Sequence, residues 1–145
     1  MSAGYSGTPL ARKLGIREGH RVATLNAPDH FSGLLGELPD GVELAAAPRR
    51  DDEIGEEVRS RDVVVLFAPD RGALLGHLPA ACRLLSWDGG LWVAWPKRSS
   101  PLAADLAREG VRRAGLDRGL VDNKVCAVDA DWSALRFVHR LEDRP

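Results

Sequence analysis

Of 145 residues only two are cysteine, one methionine, one tyrosine and three phenylalanine. Cys82 and Cys126 are too few to staple a small secreted domain, and no Cys or His stands at metal-ligand spacing from another. Two reduced, buried thiols are therefore expected, and no metal. His20, His30, His77 and His139 are scattered, none a short interval from the next. No run approaches the roughly 18 apolar residues of a membrane helix. The start, MSAGYSGTP, has neither the charged nor the apolar part of a signal peptide. A cytoplasmic protein is expected, with no membrane partner. Neither sign of charge prevails: 20 Lys+Arg face 21 Asp+Glu, net −1. That balance offers no basic field to a polyphosphate, so nucleic acid is not an expected partner.

The remainder has the composition of an ordinary globular chain, 44% hydrophobic and 28% charged. Its length suits one domain with one substantial core. Residues 1–12 read as an N-terminal arm, which either folds over a sheet edge or trails free. Arg21-Val22-Ala23-Thr24-Leu25 reads as a strand closed by Asn26-Ala27-Pro28. A helix over 29–38 follows from Phe31, Leu34, Leu35 and Leu38 at helical spacing, with Asp29 as its cap. Val42 to Ala46 is a second strand after the Pro39-Asp40-Gly41 turn. The charge-dense stretch 49–60 allows a short surface helix on Ile54 and Val58, either a solvated face or an acidic docking patch.

Val63-Val64-Val65-Leu66-Phe67 is the clearest strand. Five consecutive apolar residues, three of them β-branched, imply burial on both faces within a parallel sheet. A helix through Leu74, Leu78, Ala81, Cys82 and Leu85 follows, kinked or restarted at Pro79 and stopped by Asp88-Gly89-Gly90. Leu91-Trp92-Val93-Ala94-Trp95 is another buried strand. A helix capped by Ser100, with Pro101 in its first turn and Gly115 at its end, comes next. Strands over 120–128 and 133–141 are joined by a link too short for a crossover helix, so they pair antiparallel. Trp92, Trp95 and Trp132 read as core anchors, and Trp87, near a turn, as half exposed. The fold class is α/β: a Rossmann-like, doubly wound, mostly parallel sheet with a C-terminal antiparallel hairpin.

That plan resembles the class I methyltransferase fold, and Leu14-Gly15-Ile16-Arg17-Glu18-Gly19-His20-Arg21-Val22 is similar to the lead-in to its first strand. The chemistry of a nucleotide site does not follow. Glycines that let backbone approach the ligand belong directly after the first strand, where Asn26-Ala27-Pro28-Asp29-His30-Phe31 stands. An acid for the ribose belongs at the end of the second, where Ala45-Ala46-Ala47-Pro48-Arg49 stands. A second resemblance covers nearly the whole chain. Gly4-Tyr5-Ser6-Gly7-Thr8-Pro9-Leu10, Asn26-Ala27-Pro28, Leu91 to Lys97 and Gly119 to Asp129 are similar to a small, mainly actinobacterial family called domain of unknown function 3052. This resemblance implies a cytosolic single α/β domain and no particular activity.

Ligands of open parallel sheets bind beyond the carboxyl ends of the strands. Polar groups expected there are Asn26, Asp70 with Arg71, and Lys97, Arg98, Ser99 and Ser100. The last four precede the expected helix start, whose free amides and positive end would favour an anion; the same residues equally describe an ordinary capped loop. Lys124 is a further candidate. Strand alternation places it on one face with Asp122, either paired to that carboxylate or aimed into the crevice. No Gly-x-Ser-x-Gly turn and no neighbouring Cys–His pair supplies a nucleophile. The expected function is a non-catalytic domain binding a small anionic ligand or a protein partner, with no cofactor. The alternatives are a divergent S-adenosylmethionine-dependent methyltransferase and a self-associating structural domain, such as a homodimer.

Overall fold

The computed structural model describes residues 8–47 and 50–145. The expectations for Tyr5, Ser6, Gly7, Pro48 and Arg49 lie outside those residues. Ten elements follow in order: α1 (Leu10–Lys13), β1 (Arg21–Leu25), α2 (Phe31–Leu35), β2 (Glu43–Ala46), β3 (Arg61–Phe67), α3 (Arg71–Leu84), β4 (Leu85–Pro96), α4 (Arg108–Asp117), β5 (Leu120–Ala127) and β6 (Trp132–His139). The six strands form one sheet in the order β2-β1-β3-β4-β6-β5. The first four run parallel, and β6 lies antiparallel between β4 and β5. The expected α/β plan with its closing hairpin is the plan observed.

Alternation in β3 builds two cores at once. Val64 and Leu66 face α3 and α4, packing with Leu74, Leu78, Val111 and Phe137. Val63, Val65 and Phe67 face α1 and α2, packing with Leu14, Phe31, Leu35 and Trp132. All five are buried, which is what an unbroken apolar strand between two helical layers requires. Trp92, Trp95 and Trp132 are buried as expected, and Trp87 is half-buried.

Several expected elements are corrected. Residues 10–12 of the expected arm belong to α1, where Leu10 and Ala11 are buried against the sheet. The helix after β1 spans only Phe31–Leu35, with His30 rather than Asp29 at its cap position and no side-chain cap. The charged stretch makes two single 3₁₀ turns, Asp51–Glu53 and Gly55–Glu57. Among the described residues only Ile54 is buried there, while Val58 is 39% exposed, so the apolar pair has one buried member to hold a helix down. α3 runs through Pro79 without a restart. The carbonyl that Pro79 leaves without a donor belongs to Leu75, itself 51% exposed, where water can replace the lost bond.

Asp88-Gly89-Gly90 does not stop a helix; it lies inside β4, where the pairing with β3 shifts between Arg61↔Leu85 and Val63↔Gly90. At Gly90 the Arg136 guanidinium crosses the strand so closely that a Cβ would stand 2.5 Å from its Nε. The helix expected at Ser100 begins at Arg108 and ends at Asp117, with Gly115 inside it rather than beyond it.

Candidate functional site

The carboxyl edge of the sheet collects most of the expected site residues, and Asn26, Asp70 and Ser100 each have a structural partner there. Asn26 adopts φ 58°, the left-handed turn that glycine takes most easily, and its Nδ2 donates to the Phe67 carbonyl at 3.0 Å. That bond ties the end of β1 to the end of β3 at the point where the strand order reverses. Above it, Phe31, Phe67 and Trp132 meet edge to face at 4.9 and 5.1 Å between ring centres. Over these rings His30 Nε2 reaches Asp129 Oδ2 at 3.2 Å, joining the β1–α2 loop to the β5–β6 turn. Three buried rings and one polar pair thus join the start of α2 to β3, β6 and the β5–β6 turn.

Two of the free amides at the start of α3 are likewise satisfied. Asp70 accepts from the Ala73 amide at 2.8 Å, and Asp105 accepts from the Arg71 amide at 2.8 Å. Ser100 is no helix cap. Its hydroxyl donates to Asp131 Oδ1 at 2.8 Å and accepts from the Leu102 amide at 3.0 Å, closing a turn that the Lys97 carbonyl begins. The positive helix end expected beside Lys97 and Arg98 is therefore absent at that place. The Lys97 amide donates to the Asp131 carbonyl at 2.7 Å; Arg98 and Ser99 are exposed. Arg98 lines a cavity of about 440 Å³ with Trp95, Asp105, Leu106 and Arg108.

Lys124 lies elsewhere. A bulge shifts the β5–β6 register between Asp122↔Phe137 and Lys124↔Arg136. The extra residue, Asn123, sends Asp122 and Lys124 to opposite faces, against the expected alternation. Asp122 accepts from Arg112 Nε of α4 at 3.2 Å. Lys124 faces the α1 side, where it lines a cavity of about 350 Å³ with Lys13, Arg17 and Arg136. Sequence reasoning missed those three. Arg136 left a trace, as the single cation in the buried alternation Trp132, Ala134, Arg136.

A third cluster gathers at the C-terminal end of α3. Arg59 Nη1 donates to the Cys82 carbonyl at 2.8 Å, and its Cζ lies 4.2 Å over the Trp87 ring, which in turn meets His139 at 4.6 Å. Burial holds the His139 ring below its ordinary proton affinity, and the Arg59 charge adds to this. Burial pushes the thiols of both Cys82 and Cys126 up, so neither is primed as a nucleophile. Among the described residues no three His, Cys, Asp or Glu side chains are placed to hold a metal ion. No described helix is long and apolar enough to cross a membrane.

No family model matches the chain, and no curated protein matches it by sequence. Solved structures do match. A SAM-dependent methyltransferase from Aquifex aeolicus is similar at TM-score 0.60 and 13% identity, over 92% of this chain and 89% of that one. A putative methyltransferase structure from Haloferax volcanii, solved with the Trm112 methyltransferase activator, is similar at 0.60 and 12%, over 89% and 86%. Fibrillarin from Aeropyrum pernix, with natively bound S-adenosyl-L-methionine, is similar at 0.59 and 14%, over 89% and 73%. Likeness at such identity speaks to architecture and not to chemistry. The chain has the Rossmann-like α/β fold of the class I methyltransferases.

Proposed function

We propose that this chain is a cytoplasmic small-ligand-binding domain on the methyltransferase fold, working without S-adenosylmethionine. The observation that carries the reading is the closure of the carboxyl edge. Asn26 is bonded across to the Phe67 carbonyl, the Phe31, Phe67 and Trp132 rings pack edge to face in the core beside it, and His30 and Asp129 join the β1–α2 loop to the β5–β6 turn. A cofactor seated there would have to displace packed aromatic rings, whose edge-to-face contacts contribute about 0.5–1.5 kcal/mol per pair beyond their burial. It would find no glycine after β1 and no acid among Ala45, Ala46 and Ala47 at the end of β2.

One observation favours the second reading, a divergent S-adenosylmethionine-dependent methyltransferase. Asn26 keeps the left-handed turn directly after β1, and the Aquifex and Aeropyrum proteins of like fold are described with that cofactor. Isothermal titration separates the two. The expected result is no measurable heat with S-adenosylmethionine or S-adenosylhomocysteine. A dissociation constant in the low micromolar range, that of working enzymes for their substrates, would establish the methyltransferase reading instead.

A further inference from the structure

We propose that the cavity between the α1 lead-in and the β5–β6 hairpin binds a hydroxyl-bearing phosphate monoester, its phosphoryl group held by Lys13, Arg17, Lys124 and Arg136. The site lies on the sheet face toward α1 and near the amino ends of β1 and β3, since His20, Asp62 and Val63 also line it. It is therefore separate from the carboxyl edge. The space exists because the helical layer there is thin: α1 has four residues and α2 five, too few to cover β4, β6 and β5. At about 350 Å³ it suits a small metabolite rather than a polymer.

Charge is what selects the ligand. Lys124 and Arg136 are partners across adjacent strands, and like charges so placed destabilise a sheet unless something neutralises them. No described carboxylate ion-pairs with Lys13, Arg17, Lys124 or Arg136; every ion pair found involves other cations. Arg136 is half-buried, and its guanidinium lies over Gly90, where the absence of a Cβ leaves it room. A planar fork held in this way suits the oxygens of a phosphate. Lys13 adds charge from one end of the cavity, its Nζ donating to the Ala127 carbonyl of β5 at 3.1 Å. The Arg17 amide donates to His20 Nδ1 at 3.1 Å, which leaves the proton of the neutral ring on Nε2.

Two carboxylates, Asp62 and Asp88, complete the lining. Asp62 spends Oδ2 on the Arg21 amide at 2.8 Å and keeps Oδ1; Asp88 is exposed. They would repel a ligand charged over its whole length and accept hydrogen bonds from sugar hydroxyls. A phosphorylated sugar or a nucleoside monophosphate meets both demands, and inorganic phosphate or a bare sugar meets one.

The test is calorimetric titration of the intact chain at low salt with ribose 5-phosphate, with inorganic phosphate and ribose as the one-part probes. Saturable binding of ribose 5-phosphate is expected, with phosphate weaker and ribose silent. Lys124→Gln/Arg136→Gln should weaken it by about tenfold or more, the worth of one charged hydrogen bond. Lys124→Gln alone, at an exposed position, carries the test if the double variant does not fold, and should weaken binding several-fold. No binding by the native chain overturns the proposal. So does unchanged affinity in the folded variant, or a loss confined to Lys97→Gln/Arg98→Gln. The site does not rest on the closed carboxyl edge: S-adenosylmethionine binding would overturn that reading and leave this one standing.

Discussion

Arg59 holds a backbone conformation, φ 58°, that costs a non-glycine residue about 1–2 kcal/mol, so something must offset it. What does so is the end of α3, whose last carbonyls lack partners within the helix. The Arg59 amide donates to the Arg83 carbonyl at 2.7 Å, and Nη1 donates to the Cys82 carbonyl at 2.8 Å. Arg59→Ala removes the guanidinium and keeps the strained backbone. It should cost about 1–3 kcal/mol in urea unfolding, and Arg59→Gly should cost less because glycine accepts the turn. Equal stability of Arg59→Ala and the native chain would show that the cap is idle. His139 lies against the same group, its Nε2 accepting from Arg59 Nη1 at 3.3 Å. Its proton affinity is lowered in the folded state from the ordinary 6.5, chiefly by burial. Below that value the unfolded chain takes up a proton that the folded chain resists, so stability is full above pH 6.5 and declines as pH falls toward the folded value. The slope from one such group is at most about 1.4 kcal/mol per pH unit. Melting temperatures should fall between pH 7.5 and 5.5, and His139→Gln should flatten that fall. An unaltered slope in the variant would assign the effect to other groups.

At the scale of elements, α4 shows what its two glycines do differently. A Cβ on Gly115 would stand 2.1 Å from Cε1 of Phe137, whereas one on Gly110 would meet only Leu106 Cδ2 at 3.9 Å. Gly115→Ala should therefore push α4 off β6 and cost about 1–3 kcal/mol. Gly110→Ala should be neutral or stabilising by up to about 1 kcal/mol, through helix propensity. Equal effects of the two in denaturant unfolding would contradict the close packing at Phe137. The expectation from sequence put Gly115 at the end of the helix and started the helix seven residues early. That error is instructive. Ser100-Pro101 carries every local mark of a helix start, and the competing partner, Asp131, is 31 residues away. β3 and the second half of β4 were legible because burial on two faces writes a continuous apolar run, and the hairpin because its link is too short for a crossover helix. The bulge at Asn123 was not, since one unpaired residue changes no composition, and it alone decides which face Lys124 serves. The carboxyl-edge residues were found by strand ends; what satisfies them, above all Asn26 with Phe67 and Ser100 with Asp131, is tertiary.

For the whole molecule the question is whether two cores on opposite sides of one sheet melt as one. Neighbouring β3 residues alternate between them: Val65 belongs to the α1–α2 core and Leu66 to the α3–α4 core. β4 does the same with Trp92 and Trp95. Strands that belong to both cores cannot lose one layer without exposing the apolar backs of the same residues' neighbours to water, at about 25 cal/mol per Å². The α1–α2 layer is thin, yet Trp92 Nε1 pins it by donating to the Leu14 carbonyl at 2.9 Å in a buried setting. A buried bond of that kind is costly to leave unmade, about 1–3 kcal/mol. Urea unfolding followed by tryptophan fluorescence and by far-ultraviolet circular dichroism should therefore give one transition with coincident midpoints. Trp92 and Trp132 report on the α1–α2 core and Trp95 on the other, so fluorescence samples both sides. Trp92→Phe keeps an aromatic ring but removes the donor. It should lower the common midpoint without splitting it, since the sheet still couples the layers. An early fluorescence change that leaves the circular dichroism intact would mean that the α1–α2 layer opens on its own, and with it the wall of the cavity that Lys13 and Arg17 supply.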